Sequence, residues 1–485
     1  MKTAFISSEV EPFSKTGGLA DVAGALPVEL AKQGIDVTVF TPFYKSVKET
    51  DYDFKKVFFD VPPSVTVAGK KIRYDVFESR LPESDVKVYF IDAPQYFHRK
   101  EFYTNDPDEA ERFVFFQKAV IETLQKMQWR GDIIHVNDWQ TALIPYYLKT
   151  IYAWDKLFEK TKTLFTIHNI GYQGAFDKSV LEVAEISPEH FYPLGPAEFY
   201  GKVNFMKLGI LFADKINTVS ETYAREILTP EFSGGLEGPL RMRRKDLHGI
   251  LNGVDYSVWN PEKDKLIPVN YSIENLEKKE ENKKALAAET GLKYDAGTPI
   301  LAVISRLVSQ KGFDLFLDLF DFFIEMDAQF VILGSGEEKY ETFFKKLAYF
   351  SEGNIKTHIG YNNNLAHLIE AGADIFLMPS LYEPCGLNQI YSLKYGTPPV
   401  VRRTGGLADT VKDWDETPEE KGNGFVFEKF DSSDFTDAMQ RALKSFGEKE
   451  TWRKIQRNGM SADFSWTRSA KKYAELYSEM LKAET

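Results

Sequence analysis

Short apolar runs alternate with amphipathic helical stretches in both halves of the chain. Residues 2–7 predict a strand, residues 18–32 a helix that ends at Gly34, and residues 36–40 the next strand, which together form a βαβ unit. Pro27 lies inside the helical stretch and predicts a kink or a late start. The other strands predicted in the first half are 86–91, 132–136, 163–167 and 215–219, with a helix over 109–128.

The second half repeats this alternation. Its predicted strands are 300–305, 330–333, 355–359, 374–378 and 399–401, and its predicted helices include 313–326 and 365–371. Most of these strands are almost wholly apolar, which is typical of a parallel sheet covered on both faces. We therefore expect an α/β fold in which ligands bind at the carboxyl ends of the strands.

The length of 485 residues is too great for one hydrophobic core, so two large domains are expected. A stretch rich in Gly, Pro and charge, residues 230–261, lies between the halves. We predict a first domain over 1–245, a hinge over 246–260, a second domain over 261–461 and a terminal amphipathic helix in 462–485.

Composition excludes several classes of location and binding partner. The single cysteine, Cys385, excludes an intrachain disulfide, and the first residues lack a signal-peptide core, so we expect a cytoplasmic protein. No run approaches the roughly 20 apolar residues needed to span a bilayer, so no membrane partner is expected. The net charge of −12 would repel nucleic acid, so any phosphate ligand must be held locally.

The segment Thr-Gly-Gly-Leu-Ala-Asp occurs twice, at 16–21 and at 404–409, after Lys15 and Arg403 respectively. Glycines at a helix start let a ligand approach the backbone, and the first N–H groups favour a phosphate. Either copy alone is equally typical of a plain helix start in a repeated unit. The duplication with basic neighbours favours two anion-binding loops.

Two cations follow the strand that ends near Ser305. Arg306 and Lys311 precede Gly312 and a helix, and guanidinium and ammonium groups there would bind a diphosphate. Ordinary solvated surface charges are the alternative. A constrained loop, residues 379–387, follows another strand and carries Glu383, which would align a ligand hydroxyl or cap the next helix.

The first half places further polar residues directly after strands. Asp138 follows the strand in 132–136, and His168 follows the strand in 163–167. Asp138 is also explained as a helix cap, and His168 as a hydrogen-bonded core residue. Together with Lys15 they converge on one edge of the predicted sheet. No Cys/His spacing matches a zinc site, so neither a metal nor a cofactor is expected.

In these motifs the chain resembles bacterial glycogen synthase and plant starch synthase over nearly its whole length. The segments that carry the resemblance are 8–22, 135–139, 168–169, 251–255, 305–312, 383–387 and 403–409. The resemblance implies two Rossmann-like domains of the B-type glycosyltransferase fold facing across a deep cleft. It also implies that the terminal helix crosses back to the first domain. Because neither half contains all the groups that the reaction needs, we expect closure of the hinge to bring the two glycine loops onto one donor.

The resemblance also implies the substrates, ADP-glucose and an α-1,4-glucan such as glycogen or a maltooligosaccharide. It makes Arg306 and Lys311 the diphosphate-binding residues and Glu383 the residue that holds the glucose hydroxyls. The residues it implies elsewhere in the donor site are Lys15, Gly17, Gly18, Asp21, Asp138, His168, Asn252, Tyr361 as adenine platform, Cys385, Gly386, Leu387, Thr404, Gly405 and Gly406. Glu9 is implied on the acceptor side.

Two positions depart from related sequences. Many retaining glycosyltransferases carry a second Glu where this chain has Tyr391, which resembles the glycogen synthase branch. Some bacterial relatives have tyrosine where Phe97 stands, so a hydroxyl contact near the donor sugar is expected to be lost or replaced.

Retention of configuration is implied by the family. Retaining glycosidases use two carboxylates about 5 Å apart, and no such pair is evident here. We therefore expect front-face substitution, with charge on the departing diphosphate stabilised by Arg306 and Lys311. The His168 carbonyl is expected to face the anomeric carbon. The alternatives are UDP-glucose as donor, a pyridoxal-phosphate phosphorylase or a degenerate glucan-binding protein; the missing Gly-x-Gly-x-x-Gly disfavours an NAD enzyme.

Overall fold

The computed structural model describes residues 1–57, 59–417 and 420–482. These residues divide into two compact units. One contains Met1–Gly253 and the segment that starts at Trp466, and the other is Val254–Ser465. The change of unit after Gly253 falls inside the predicted hinge range of 246–260, whereas the return after Ser465 lies later than the predicted limit of 461.

Among the described residues, fourteen strands and nine α-helices precede the first change of unit. The strands are β1 (Lys2–Ile6), β2 (Asp36–Pro42), β3 (Lys55–Lys56), β4 (Ser64–Val67), β5 (Lys70–Arg73), β6 (Asp75–Arg80), β7 (Lys87–Asp92), β8 (Ile133–Asn137), β9 (Lys162–Ile167), β10 (Ala175–Phe176), β11 (Glu198–Phe199), β12 (Lys202–Asn204), β13 (Lys215–Thr218) and β14 (Leu247–Gly249). The helices are α1 (Gly18–Lys32), α2 (Lys45–Lys48), α3 (Pro94–Phe97), α4 (Glu109–Lys126), α5 (Leu143–Lys149), α6 (Val180–Val183), α7 (Phe205–Phe212), α8 (Glu221–Glu226) and α9 (Glu237–Met242).

The main sheet of the first unit has the order β14-β13-β9-β8-β1-β2-β7-β6-β3. Its pairs from β14 to β7 are parallel, whereas β6 and β3 pair antiparallel at one edge. All five residues of β8 are buried, as expected for a strand covered on both faces. The parallel arrangement places the ends of β1, β8 and β9 along the same edge.

The second unit contains a smaller parallel sheet with the order β17-β16-β15-β18-β19-β20. Its strands are β15 (Ile300–Ile304), β16 (Gln329–Gly334), β17 (Ile355–Ile359), β18 (Ile375–Met378), β19 (Pro399–Arg402) and β20 (Phe425–Phe427). Its helices are α10 (Lys279–Thr290), α11 (Asp314–Leu317), α12 (Phe320–Glu325), α13 (Glu338–Phe350), α14 (Asn363–Gly372), α15 (Asn388–Lys394), α16 (Gly405–Thr410), α17 (Ser432–Gly447) and α18 (Lys449–Ser461).

The last helix, α19 (Trp466–Lys482), packs on the first unit. Its Tyr477 hydroxyl lies 2.7 Å from His135 Nδ1 in β8, and Asn217 Nδ2 donates to the Tyr473 hydroxyl over 2.8 Å. A Cβ at Gly253 would overlap the Trp466 backbone, so only glycine allows this approach. His135, in a motif that the sequence placed near the site, therefore anchors the terminal helix.

The structure differs from the predicted elements in two ways. The helix predicted over 313–326 is two short helices, α11 and α12, because the backbone leaves helical geometry at Leu319. The strands β3–β6 and β10–β12 were not predicted, because each is either only two or three residues long or interrupted by polar residues, so none contains a continuous apolar run. Within the described ranges, no helix is long and apolar enough to cross a membrane.

Candidate active site

The residues predicted to bind substrate form one group in each unit. The first unit holds Glu9, Lys15, Gly17, Gly18, Asp21, Asp138, His168 and Asn252. The second holds Arg306, Lys311, Tyr361, Glu383, Cys385, Gly386, Leu387, Thr404, Gly405 and Gly406. In both units these residues follow strands, as is usual for ligand sites of open parallel sheets.

Glu9 holds the first glycine loop, residues 16–21, through hydrogen bonds. Its buried carboxylate accepts hydrogen bonds from the N–H groups of Thr16 and Gly17, the latter over 3.3 Å, and from the Thr16 hydroxyl over 2.7 Å. Tyr103 donates a further bond of 2.6 Å. The N–H groups of Thr16 and Gly17 are thus directed at Glu9 in this structure rather than at a ligand, which the sequence did not predict. The contact of Tyr103 with Glu9 was not predicted either, because the two residues lie far apart along the chain.

The glycines of this loop face open space. A Cβ at Gly17 or Gly18 would meet no atom within 4 Å, and both residues are exposed. Lys15 Nζ lies 2.6 Å from Asp21 Oδ1; the lysine is exposed, whereas the aspartate is half-buried. Burial raises the pKa of Asp21, and the Lys15 charge partly offsets this. The surface over Gly17 and Gly18 is open to a ligand.

Asp138 occupies a strained backbone position after β8. Its φ of 55° lies in the left-handed region, which non-glycine residues rarely adopt. Its Oδ1 accepts a hydrogen bond of 2.8 Å from the His168 N–H, and no side-chain cap is made to the 3₁₀ turn that follows. The helix-cap alternative is therefore wrong. Burial raises the pKa of Asp138 to about 7, despite the backbone N–H groups of His168 and Asn169, which favour the charged form.

His168 is a neutral, buried imidazole at the end of β9. Its Nε2 lies 2.9 Å from Asn137 Oδ1, and Asn137 Nδ2 donates to the Ile6 carbonyl over 3.0 Å. This second bond orients the amide, so Nε2 of His168 is the donor. Burial lowers the pKa of His168 to about 3. Asn137 lies inside a motif that the sequence singled out, but its role was not predicted.

Asn252 ends the group in the first unit. The residue is 5% exposed, and among the described residues its Oδ1 has no hydrogen-bond partner. A buried acceptor of this kind is normally satisfied by protein or water, so it is available to a ligand hydroxyl.

Phe97 lies in an aromatic cluster rather than at a surface. The ring is fully buried, with its centroid 5.8 Å from that of Tyr44 and 6.2 Å from that of Phe115. The guanidinium of Arg112 lies 5.4 Å from the Phe97 centroid. The position where some relatives have a hydroxyl is thus filled by apolar packing.

In the second unit a cation and a carboxylate meet after two paired strands. Lys311 follows β15 and Glu383 follows β18, and Lys311 Nζ lies 2.6 Å from Glu383 Oε2. Ser380 donates to the same oxygen over 3.0 Å. Gly312 has a φ of 80°, and a Cβ there would overlap the Pro379 carbonyl, which brings the two loops together. The side chain of Glu383 is thus held by Lys311 and Ser380, and Ser380 was not predicted.

Arg306 complements this pair. Its side chain is exposed at the end of β15, and within the described part of the chain it forms no ion pair or hydrogen bond. An exposed guanidinium that is not neutralised by a carboxylate is suited to bind an anion. Arg306 and Lys311 therefore provide one available and one paired cation in the same loop.

The second glycine loop differs physically from the first. Gly405 has a φ of 44°, and a Cβ at Gly405 or Gly406 would overlap the carbonyl of Glu383 or Cys385. The Gly406 N–H donates to the Glu383 carbonyl over 3.0 Å, so it is not directed at a ligand as the sequence predicted. These glycines pack the loop at 404–406 against the loop of Glu383.

The basic residue before this loop is also engaged elsewhere. Arg403 pairs with Glu428, and its Nη2 lies 2.5 Å from Glu416 Oε2. The basic neighbour that suggested a second phosphate loop is therefore neutralised by two carboxylates. Thr404 is buried beside it.

The remaining predicted residues of the second unit are divided between the surface and the interior. Tyr361 is 82% exposed, and its hydroxyl donates to Asn363 Oδ1 over 2.9 Å, so its ring lies open to a planar ligand. Cys385 is buried, whereas Gly386 and Leu387 are half-buried at the start of α15. Gly386 has a φ of 72°, which explains the glycine there.

Tyr391, where many retaining enzymes have Glu, is part of an aromatic stack. Its ring lies 4.1 Å from that of Trp259 at an interplanar angle of 8°, and His367 stacks on Trp259 at 3.8 Å. Asp264 Oδ2 accepts from the Tyr395 hydroxyl over 2.6 Å and lies 2.8 Å from His367 Nδ1. Tyr391 therefore has a packing role in this chain.

Comparison with known proteins agrees with this arrangement. A family model described as the starch synthase catalytic domain matches residues 2–242, and one described as glycosyl transferases group 1 matches residues 287–459. The glycogen synthase of Thermotoga maritima is 49% identical over 484 residues, covering 99% of each chain. The glycogen synthase of Thermosipho melanesiensis is 47% identical over 482 residues, again covering 99% of each.

Two solved structures are similar to this fold. The catalytic domain of starch synthase IV from Arabidopsis thaliana, bound to ADP and acarbose, superposes with a TM-score of 0.90 at 33% identity and 99% coverage of each chain. Sucrose-phosphate synthase from Thermosynechococcus elongatus has a TM-score of 0.59 at 19% identity and 100% coverage, and shares the fold. The chain is a glycosyltransferase of the B-type fold and belongs to the glycogen synthase and starch synthase family.

Proposed function

We propose that the protein transfers glucose from ADP-glucose to the non-reducing end of an α-1,4-glucan, with retention of configuration and release of ADP. The observation that carries the proposal is the Lys311–Glu383 pair of 2.6 Å beside the exposed Arg306, at the ends of the paired strands β15 and β18. Full-length similarity to glycogen synthases supports the polymer, and a related starch synthase binds ADP and acarbose. We also propose a cytoplasmic location, which a single, buried cysteine supports.

We assign the nucleotide to the second unit. Arg306 and Lys311 would bind the diphosphate, and the exposed ring of Tyr361 would stack on adenine. Glu383 would accept hydrogen bonds from the glucose hydroxyls once a phosphate attracts Lys311. The loop from Cys385 to Leu387, together with Thr404, Gly405 and Gly406, would shape the backbone surface around the sugar.

We assign the acceptor, and further contacts with the glucose, to the first unit. Lys15 and the open surface over Gly17 and Gly18 would meet the transferred sugar and its phosphate, with Asp21 orienting Lys15. Asn252 would receive a hydroxyl at its unsatisfied Oδ1, and Asp138 would fix the backbone of His168. Glu9 holds the loop of Lys15 and is proposed to act beside the acceptor. Transfer therefore requires groups from both units.

The reaction would follow a front-face path. The bond between the anomeric carbon and the diphosphate oxygen breaks, an oxocarbenium-like centre develops, and the acceptor O4 bonds to the same face. Both electrons of the broken bond leave with ADP, and the acceptor proton passes to its departing phosphate. Arg306 and Lys311 stabilise the charge that grows on the diphosphate. The neutral imidazole of His168, with its pKa of about 3, is unsuited to act as a base at neutral pH.

The test is incubation of the purified protein with glycogen and either labelled ADP-glucose or labelled UDP-glucose. We expect label in the polymer from ADP-glucose, with ADP released in equal amount. Stronger incorporation from UDP-glucose would overturn the donor assignment. No incorporation from either donor, together with retained glycogen binding, would identify a degenerate glucan-binding protein instead.

A further inference from the structure

An exposed tyrosine at a hairpin tip is the strongest feature that the proposed function does not use. Tyr200 connects β11 to β12 through a two-residue turn with Gly201. Both turn residues have positive φ, 50° for Tyr200 and 80° for Gly201. Turns of this kind favour Asn-Gly, because an aromatic residue is strained at positive φ. The Tyr200 side chain is nevertheless 81% exposed.

Buried and half-buried side chains hold this hairpin in place through hydrogen bonds to its backbone. The Glu198 carboxylate accepts from the Gly201 N–H over 2.7 Å and from the Leu194 N–H over 3.0 Å. The buried ammonium of Lys207 donates to the carbonyls of Gly195 and Glu198 over 2.7 and 2.6 Å. Backbone strain that the surroundings enforce is typical of functional positions. The structure thus maintains a strained turn whose side chain lies at the surface.

The hairpin tip is continuous with the loop that leaves His168. A Cβ at Gly235 would lie 3.1 Å from the Tyr200 ring, and the neighbouring Gly234 carbonyl accepts from Gln173 Nε2 over 3.0 Å. Gln173 follows Tyr172, which is 57% exposed and whose N–H donates to the Asn169 carbonyl over 3.2 Å. A series of contacts within the first unit therefore connects the loop after His168 to the hairpin tip.

We propose that Tyr200, with Tyr172, forms an outer platform for the α-1,4-glucan, beyond the sugar that accepts glucose. This rests on the proposed function, because a polymer that enters the site at His168 must continue across neighbouring surface. Tyrosine rings offer a rigid apolar face to the sugar ring and a hydroxyl to its polar edge, at a small entropy cost. The partner is thus a chain several glucose units long.

The test exploits the turn geometry. Tyr200→Asn removes the ring but suits a positive φ, so the variant should fold with an unchanged or higher Tm. We expect its KM for glycogen to rise about threefold to tenfold, with kcat unchanged. For maltotriose, a much shorter acceptor, kcat/KM should fall less than it does for glycogen. Tyr200→Phe, which keeps the ring, should retain the parent KM for glycogen.

Tyr349→Asn is the matched control, since Tyr349 is 82% exposed on α13 of the second unit. It should leave both acceptors unaffected. An unchanged glycogen KM in a folded Tyr200→Asn variant overturns the platform, and so does an equal loss with maltotriose. Retention of the wild-type and variant proteins in gels that contain glycogen measures glucan binding without any glucose transfer. If the wild-type protein transfers no glucose, the proposed function is refuted, but the platform can still be tested by this retention. A changed oligomeric state with unchanged glycogen retention would show that the patch serves a second copy instead, and would overturn the proposal.

Discussion

Lys311 Nζ lies 2.6 Å from Glu383 Oε2, and the two side chains are only 18% and 7% exposed. Ser380 donates to the same oxygen, so the carboxylate has two partners from two loops. Removing one partner of a mostly buried pair leaves the other charge poorly compensated. The pair therefore links the proposed diphosphate contact to the proposed sugar contact.

Lys311→Ala should lower kcat/KM for ADP-glucose about a hundredfold, or about 3 kcal/mol, because the charge on the departing diphosphate loses a cation. Initial rates with saturating glycogen measure this. Lys339→Ala is the control, since Lys339 pairs with Asp314 at 3.2 Å on the same unit but at an exposed position. The Lys311→Ala, Glu383→Ala double variant should lose less than the sum of the single losses. If the losses of the two single variants simply added up in the double variant, Lys311 and Glu383 would not be coupled.

The two glycine pairs should respond oppositely to alanine. At Gly17 a Cβ meets open space, so Gly17→Ala should change stability by less than about 0.5 kcal/mol. It should still lower kcat/KM about tenfold, because the proposed sugar-phosphate surface changes shape. At Gly406 a Cβ overlaps the Cys385 carbonyl, so Gly406→Ala should destabilise the second unit by about 1–3 kcal/mol.

Thermal unfolding and initial rates distinguish the two glycine variants. Gly447→Ala is a control, since Gly447 ends α17 and its added Cβ also meets open space. It should preserve both Tm and rate. A Gly17→Ala variant with the parent rate would refute the role assigned to the first loop.

Asp138 predicts a specific dependence of stability on pH. Burial raises its pKa from 3.8 to about 7, so the folded state binds a proton that the unfolded state has released. Its contribution to stability is therefore present at low pH, falls as the pH rises from about 4 to 7, and is constant above that range. Asn keeps the oxygen that accepts from His168 and tolerates positive φ.

The Tm of Asp138→Asn relative to wild type should consequently rise between pH 5 and pH 8. Each kcal/mol corresponds to about 2–4 °C in a unit of this size. Scanning calorimetry across that range measures the difference. A difference that is constant with pH would show that Asp138 does not titrate there.

His168 should not control the pH profile of the reaction. Its pKa of about 3 keeps the imidazole neutral from pH 5 to 9, and its Nε2–H is directed at Asn137. His168→Gln should lower kcat by altering the packing around the sugar. The plot of kcat/KM against pH should keep the same shape as in the wild type, with both its acidic and its basic limb. Loss of one limb in the variant would assign general-base chemistry to the imidazole.

Tyr361→Ala should weaken nucleotide binding without affecting the fold. The ring is 82% exposed, and stacking of a base on an aromatic ring is worth about 1–3 kcal/mol. We expect the Kd for ADP to rise at least about fivefold and the Tm to stay unchanged. Tyr361→Phe should restore binding, and titration calorimetry with ADP measures both. Equal ADP affinity in all three proteins would exclude the platform.

Much of the fold could be predicted from the chain because most strands of its two parallel sheets are largely apolar runs. The parallel strands β1, β2, β8 and β9 were expected near their observed positions, since burial on both faces leaves a continuous signal. The hairpin of β11 and β12 was not, because its two- and three-residue strands have no period to detect. Its turn is Tyr-Gly rather than the favoured Asn-Gly, which removed the usual signal.

The candidate site could be predicted at the level of residue type and position after strands. Arg306, Lys311, Glu383, Asp138 and His168 follow the ends of β15, β18, β8 and β9 as expected. Their immediate partners were not expected. Ser380 holds Glu383 and Asn137 holds His168, and although both lie inside segments that the sequence singled out, neither was assigned this role. Tyr103 lies in no such segment, and it meets Glu9 only because the chain folds.

The two Thr-Gly-Gly-Leu-Ala-Asp segments show where the sequence reaches its limit. The sequence by itself determined that each begins a helix after a strand or loop of an α/β unit, because glycine, helix formers and a preceding basic residue act locally. Only the tertiary structure decided that Gly17 faces open space while Gly406 packs against Cys385. The physical reason is that a glycine's function depends on which atoms approach it, and those atoms come from loops distant in the sequence.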